Sequence, residues 1–118
     1  MHLDTFISKV KAEEFISFND TMACINELYV YTPTSFTNGI EENSINNLAG
    51  TNEGSCKIFA FATLNQLDEL QTLNLFGDFY HQDVLNDPNG NGHQNIRNFM
   101  QYGWKGIQFS GPNTLRLK

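Results

Sequence analysis

Positive charge is scarce in this chain: 7 Lys and Arg stand against 13 Asp and Glu, a formal net charge of -6 over 118 residues. The cations Lys9, Lys11, Lys57, Arg97, Lys105, Arg116 and Lys118 are scattered, so no basic stripe exists to follow a phosphate backbone and nucleic acid is excluded as a partner. Long apolar runs are missing too. The longest, residues 58–64, falls far short of the roughly 20 residues of a membrane helix. The start, Met1-His2-Leu3-Asp4, has neither the basic nor the apolar part of a secretory signal, which points to the cytoplasm. Cysteine is limited to Cys24 and Cys56, too few for a disulfide framework and expected as free thiols.

Charged residues of both signs reach only 17%, against about a quarter in an average protein. Fifteen Asn take up much of the missing polarity, a residue that tolerates left-handed backbone and bonds nearby amides. With 40% hydrophobic residues and ten Phe, disorder is excluded, and the length suits one domain spanning residues 1–118.

Leu3, Phe6, Ile7 and Val10 recur at helical spacing and predict a helix over 3–13; residues 15–18 read as a short strand. Asp20 is a plausible N-cap for a helix over 20–31, ended by Thr32-Pro33. Residues 34–54 read as loop with one strand near 36–40. Ser55 can cap a helix over 56–66 that is apolar all round, with a buried strand as the alternative. Asp68 and Gln71 resemble a capping box, and Leu73, Phe76, Gly77, Tyr80 and Val84 extend the pattern to a helix over 68–85. After the turn 87–92, Ile96, Phe99 and Met100 place a helix at 93–102, with Gly103 closing it at positive φ. Strands near 106–110 and 114–117 read as a terminal hairpin. The expected class is α+β: about five helices packed with a small sheet.

Asp87-Pro88-Asn89-Gly90-Asn91-Gly92 imitates the first half of a calcium loop, but position 12 is Asn98 and Asp87 is the one carboxylate among the would-be ligands. His93 with Asp83 or Asp78 lacks a fixed metal-ligand spacing, so no metal and no cofactor are expected. Tyr80, His81, Asp83, His93, Asn95 and Arg97 form the densest group of chemically capable side chains, and Tyr80, Asp83, His93, Asn95 and Arg97 are the expected ligand-binding residues. Asp83 and Arg97 should meet across the turn, with His93 beside them. Cys56, in the first turn of a helix beside Lys57, is the candidate nucleophile. It would need His93 or His81 as base and Asn95 or Asp83 as orienter. Its neighbours Ile58 and Phe59 argue instead for an inert, buried thiol.

Thr32-Pro33, Phe36-Thr37-Asn38-Gly39, Gly54-Ser55-Cys56-Lys57 with Phe59-Ala60-Phe61-Ala62, Asp83-Val84-Leu85, His93-Gln94-Asn95-Ile96-Arg97-Asn98-Phe99-Met100 and Gly103-Trp104-Lys105-Gly106-Ile107 occur in this order. Together they resemble the HopJ family of bacterial proteins over almost the whole chain. The resemblance implies an association with type III secretion effectors and no settled activity. Against injection into a host stand Asp4, Glu13, Glu14 and Asp20, since export signals of that kind are poor in acids. The function expected is a binding or regulatory module, a monomer or weak dimer, engaging a small ligand or protein partner. The alternative is a small hydrolase or transferase using Cys56 and His93.

Overall fold

The structure, a computed structural model, describes residues 2–118. Helix α1 (Leu3–Lys11) turns Phe6 and Val10 into the core. The strand expected at 15–18 does not form: Phe15 is exposed, Ile16 is buried and the backbone there joins no sheet. Ser17 has a competing use, because its Oγ accepts from the Asp20 amide at 3.1 Å and starts α2 (Phe18–Leu28) two residues before Asp20. Asp20 thus lies in the first turn, where its carboxylate meets the positive helix end.

The helix expected over 20–31 stops at Leu28. Tyr29–Tyr31 leave it as strand β1, which pairs antiparallel with β5 (Leu115–Leu117), Tyr29 opposite Leu117. A second sheet has β2 (Phe36–Asn38) between β3 (Ile45–Asn47) and β4 (Ile107–Phe109), with Phe36 opposite both Asn47 and Phe109. The terminal hairpin therefore does not form, although both of its strands do. β4 completes the edge of β2 and β5 the edge of β1, and Gly111-Pro112-Asn113 carries the chain from one sheet to the other. Pairing β4 with β5 would leave those two edges without partners.

Residues 56–64 are helical, within α3 (Glu53–Leu64), whose Cys56, Ile58, Phe59, Ala60, Phe61 and Ala62 are all buried. A helix apolar on every side belongs in the middle of a fold, and Phe59 meets Phe36, Phe76 and Phe99 at ring-centroid distances of 5.8, 5.6 and 5.0 Å. Asp68 and Gln71 form the expected capping box, but α4 (Glu69–Asn74) is short. The helix expected to run to 85 breaks at Gly77, which turns at φ 59. A Cβ there would lie 2.5 Å from the Phe18 amide nitrogen and 2.9 Å from the Ile16 carbonyl oxygen. The close pass against the start of α2 is thus open only to glycine. The chain resumes as a π-helical turn, Phe79–Val84, and the apolar period survives the break: Leu73, Phe76, Tyr80 and Val84 are all buried. Helix α5 (Gln94–Tyr102) buries Ile96 and Phe99, and Gly103 follows at φ 64. Among the described residues, five α-helices, a π-helical turn and two small antiparallel sheets around one aromatic core make an α+β fold.

Candidate functional site

The first turns of α3 and α5 face a common cleft. In each helix the capping residue is left-handed, Asn52 at φ 49, ψ 45 and His93 at φ 55, ψ 51, and neither side chain caps its own helix. Ser55, the expected cap of α3, lies inside it. Asn52 instead gives its Nδ2 to Oδ1 of Asn47 at 2.7 Å. His93 lays its ring on Phe79, centroids 5.0 Å apart and planes 29° apart, with Nε2 3.1 Å from Oδ2 of Asp83. First-turn amides have no intrahelical acceptor. Those of Gly54, Ser55, Gln94 and Asn95 have no hydrogen-bond partner among the described residues.

The cleft has a volume of about 390 Å³. Phe18, Phe76 and Phe79 supply aromatic lining, Ile45 and Ile96 aliphatic lining, and Asn52, Gly54, Ser55, His93, Gln94 and Asn95 the polar rim. Phe18 and Phe79 are 4.8 Å apart, centroid to centroid. Phe18 lies so close to α3 that a Cβ on Gly54 would come within 2.7 Å of its Cζ. Among the described residues, no Lys, Arg, Asp or Glu lines the cleft.

Beneath the rim, four buried Asn tie α5 to the three-stranded sheet. Asn95 Oδ1 accepts from Asn38 Nδ2 at 3.0 Å and from Asn47 Nδ2 at 3.1 Å, and Asn95 Nδ2 donates to Asn47 Oδ1 at 2.9 Å. Asn98 Nδ2 donates to the carbonyls of Asn38 and Asn43, both at 2.9 Å, while Gln94 Nε2 donates to Asn98 Oδ1 at 3.0 Å. Buried amides bonded to one another fix the backbone that carries them, and of this set Asn38 Oδ1 is left without a hydrogen bond.

Of the residues expected to bind ligand, His93 and Asn95 line the cleft and Asp83 holds His93 from behind. Tyr80 is buried in the core. Arg97 does not pair with Asp83 among the described residues. Its Nε donates to the Gly92 carbonyl at 2.6 Å and its Nη1 to the Asp87 carbonyl at 2.8 Å, fastening the 87–92 turn from the helix that follows it. The backbone carbonyls of that turn come within reach of the guanidinium, and Asp83 is taken up by His93. Cys56 is 1% exposed, with Sγ donating to the Thr34 carbonyl at 3.4 Å, and Ser55 and Gly54 represent α3 in the cleft. Burial pushes the Cys56 thiol up, outweighing the opposing effects of Tyr31, the Thr34 backbone and Lys57. Tyr31, beside Glu53 and Cys56, is likewise raised by burial, and its hydroxyl has no hydrogen bond of regular geometry. Among the described residues no three His, Cys, Asp or Glu converge as a metal site.

Phe18, Phe79, Asn52, Ser55 and Gln94 escaped the sequence reading. The Asn surplus and the adjacent Gly54-Ser55 were the available signals, and neither says that two helices begin at one place.

The family model for HopJ type III effector protein matches residues 3–114. The crystal structure of VPA0580, a protein described as of unknown function, is similar with a TM-score of 0.93 and 50% identity, over 100% of this chain and 95% of that one. No curated protein matches the chain.

Proposed function

From the premise that the chain belongs to the HopJ type III effector protein family, we propose that it is a binding or regulatory module that takes a small ligand into the cleft between α3 and α5. One observation supports this reading: a cavity of about 390 Å³ is walled by aromatic rings on one side and rimmed on the other by amides without acceptors, with His93 where the two meet. Ligand sites of small proteins combine these parts, a largely apolar hollow with a few oriented polar groups. The hydrolase reading has less support, since Cys56 is turned to the Thr34 carbonyl and its thiol is raised.

We place this activity in the cytoplasm, in a monomer or weak dimer. Cys24 and Cys56 are free and buried, as suits a reducing compartment. Type III export, which the family description suggests, would require α1 to release Phe6 and Val10 from the core.

A thermal-shift screen of small molecules tests the proposal. A ligand held at a hundred times its Kd adds about 2.7 kcal/mol to stability, a rise of several degrees in Tm. The shift should shrink in His93→Ala and persist in Cys56→Ala. Hits that stabilise His93→Ala as well as the parent protein would place the binding site elsewhere.

A further inference from the structure

Resting on the reading of this cleft as a binding site, we infer that its ligand is a flat, uncharged heteroaromatic ring with hydrogen-bond acceptors along one edge. The ring follows from the wall. Phe18, Phe79 and His93 stand in sequence at centroid distances of 4.8 and 5.0 Å, so a planar guest meets π-faces or edges along the whole side. The wall is also a built feature. Gly54 leaves room for the Phe18 ring, whose Cζ a Cβ would meet at 2.7 Å, and Gly77 for the Phe18 backbone, whose amide nitrogen a Cβ would meet at 2.5 Å.

Neutrality follows from the lining. With no Lys, Arg, Asp or Glu among the described residues lining the cleft, an ammonium group would meet no counter-charge, and a phosphate or carboxylate would meet only the partial positive charge of two helix starts. The acceptor edge follows from the rim, where first-turn amides stand without acceptors. The amides of Gly54, Ser55, Gln94 and Asn95 have no partner among the described residues. The Asn95 carboxamide is already used by Asn38 and Asn47. Ring nitrogens or a ring-borne carbonyl bring partial negative charge to those amides without the desolvation cost of an anion. A volume of about 390 Å³ admits one or two fused rings.

The test is a titration of the isotope-labelled protein followed by amide NMR, with four probes: nicotinamide, adenine, cyclohexanecarboxamide and inorganic phosphate. Nicotinamide and cyclohexanecarboxamide share a carboxamide and differ in the two features inferred for the ligand, ring planarity and a ring-nitrogen acceptor. Nicotinamide or adenine should move the Gly54, Ser55, Gln94 and Asn95 signals, and cyclohexanecarboxamide should bind about tenfold more weakly, the order expected for a lost stacking contact. Phe79→Leu keeps apolar volume and should reduce that preference for the planar probe while leaving the rest of the spectrum in place. Equal binding of the planar and saturated carboxamides overturns the inference and leaves the binding-site reading standing. Binding of phosphate alone does the same, in favour of an anion site. No movement of the four signals with any probe overturns the inference, and the screen of the preceding section then decides the reading beneath it.

Discussion

His93 and Asp83 meet across the 87–92 turn, with Nε2 3.1 Å from Oδ2, and the contact holds the imidazole flat on Phe79. An ionised carboxylate accepts and does not donate, so Nε2 carries the proton of this bond. The side chains are 36% and 51% exposed, and a pair so wet is an orienting device more than a source of stability. A double-mutant cycle with Asp83→Asn and His93→Gln should return no more than about 1 kcal/mol of coupling. The same cycle with Asp83→Asn and Arg97→Gln should return none, because Arg97 is bonded to the Gly92 and Asp87 carbonyls. Coupling of Asp83 to Arg97 above that to His93 would refute the assignment.

What could be read from the sequence was what short-range rules govern. The capping box at Asp68, the face of α1 and the positive φ of Gly103 are settled within a few residues, and each was foreseen. The misreadings share one cause, a tertiary demand with no local signature. Tyr29–Tyr31 became strand because Leu115–Leu117 supplied an edge, and β4 left β5 because β2 did the same. Gly77 looked like a tolerable glycine inside an apolar period, and only the approach of Phe18 makes it a break. Half of the site was legible for the same reason. His93 and Asp83 stand out by residue type, while Phe18, Ser55 and Asn52 become site residues through the meeting of two helix starts.

Gly77→Ala should therefore be among the costliest single changes. Left-handed backbone costs an ordinary residue about 1–2 kcal/mol, and the added Cβ would also press on the backbone of Ser17 and Phe18. Gly50→Ala is the control: φ is 87 there, but nothing lies within 4 Å of the new Cβ, so only the backbone term applies. Urea midpoints should fall for both and clearly further for Gly77→Ala. Equal losses would show that the contact with α2 yields easily.

Asn95→Ala should cost several times what a surface Asn does. It removes one of two acceptors from Asn38 Nδ2 and from Asn47 Nδ2 and one of two donors to Asn47 Oδ1, all of them buried, and leaves them the Asn95 carbonyl, the Phe36 carbonyl and Asn52 Nδ2. Each buried hydrogen bond lost costs about 0.5–1.5 kcal/mol, so with three lost a decrease of roughly 2–4 kcal/mol is expected. Asn113→Ala, at an exposed turn, should stay within about 0.5 kcal/mol. A loss below about 1 kcal/mol at Asn95 would mean that water replaces the missing carboxamide.

Stability should decline in base, with a sign fixed by the buried thiols. Burial raises Cys24 and Cys56 above the ordinary 9.0, and it raises Tyr31 above 10.0. Between the unfolded and the folded pKa the native state keeps a proton that the unfolded chain has released, so unfolding becomes easier as pH rises. The contribution is complete below the ordinary values and is lost progressively above them. Urea unfolding at pH 7, 8, 9 and 10 should show a falling midpoint in the upper half of that range, and Cys24→Ala with Cys56→Ala should flatten it. Iodoacetamide at pH 7.5 should label native Cys56 slowly and the urea-unfolded chain quickly. Rapid native labelling, with an apparent pKa below the ordinary thiol range, would reveal an accessible thiolate and return Cys56 to the role of nucleophile.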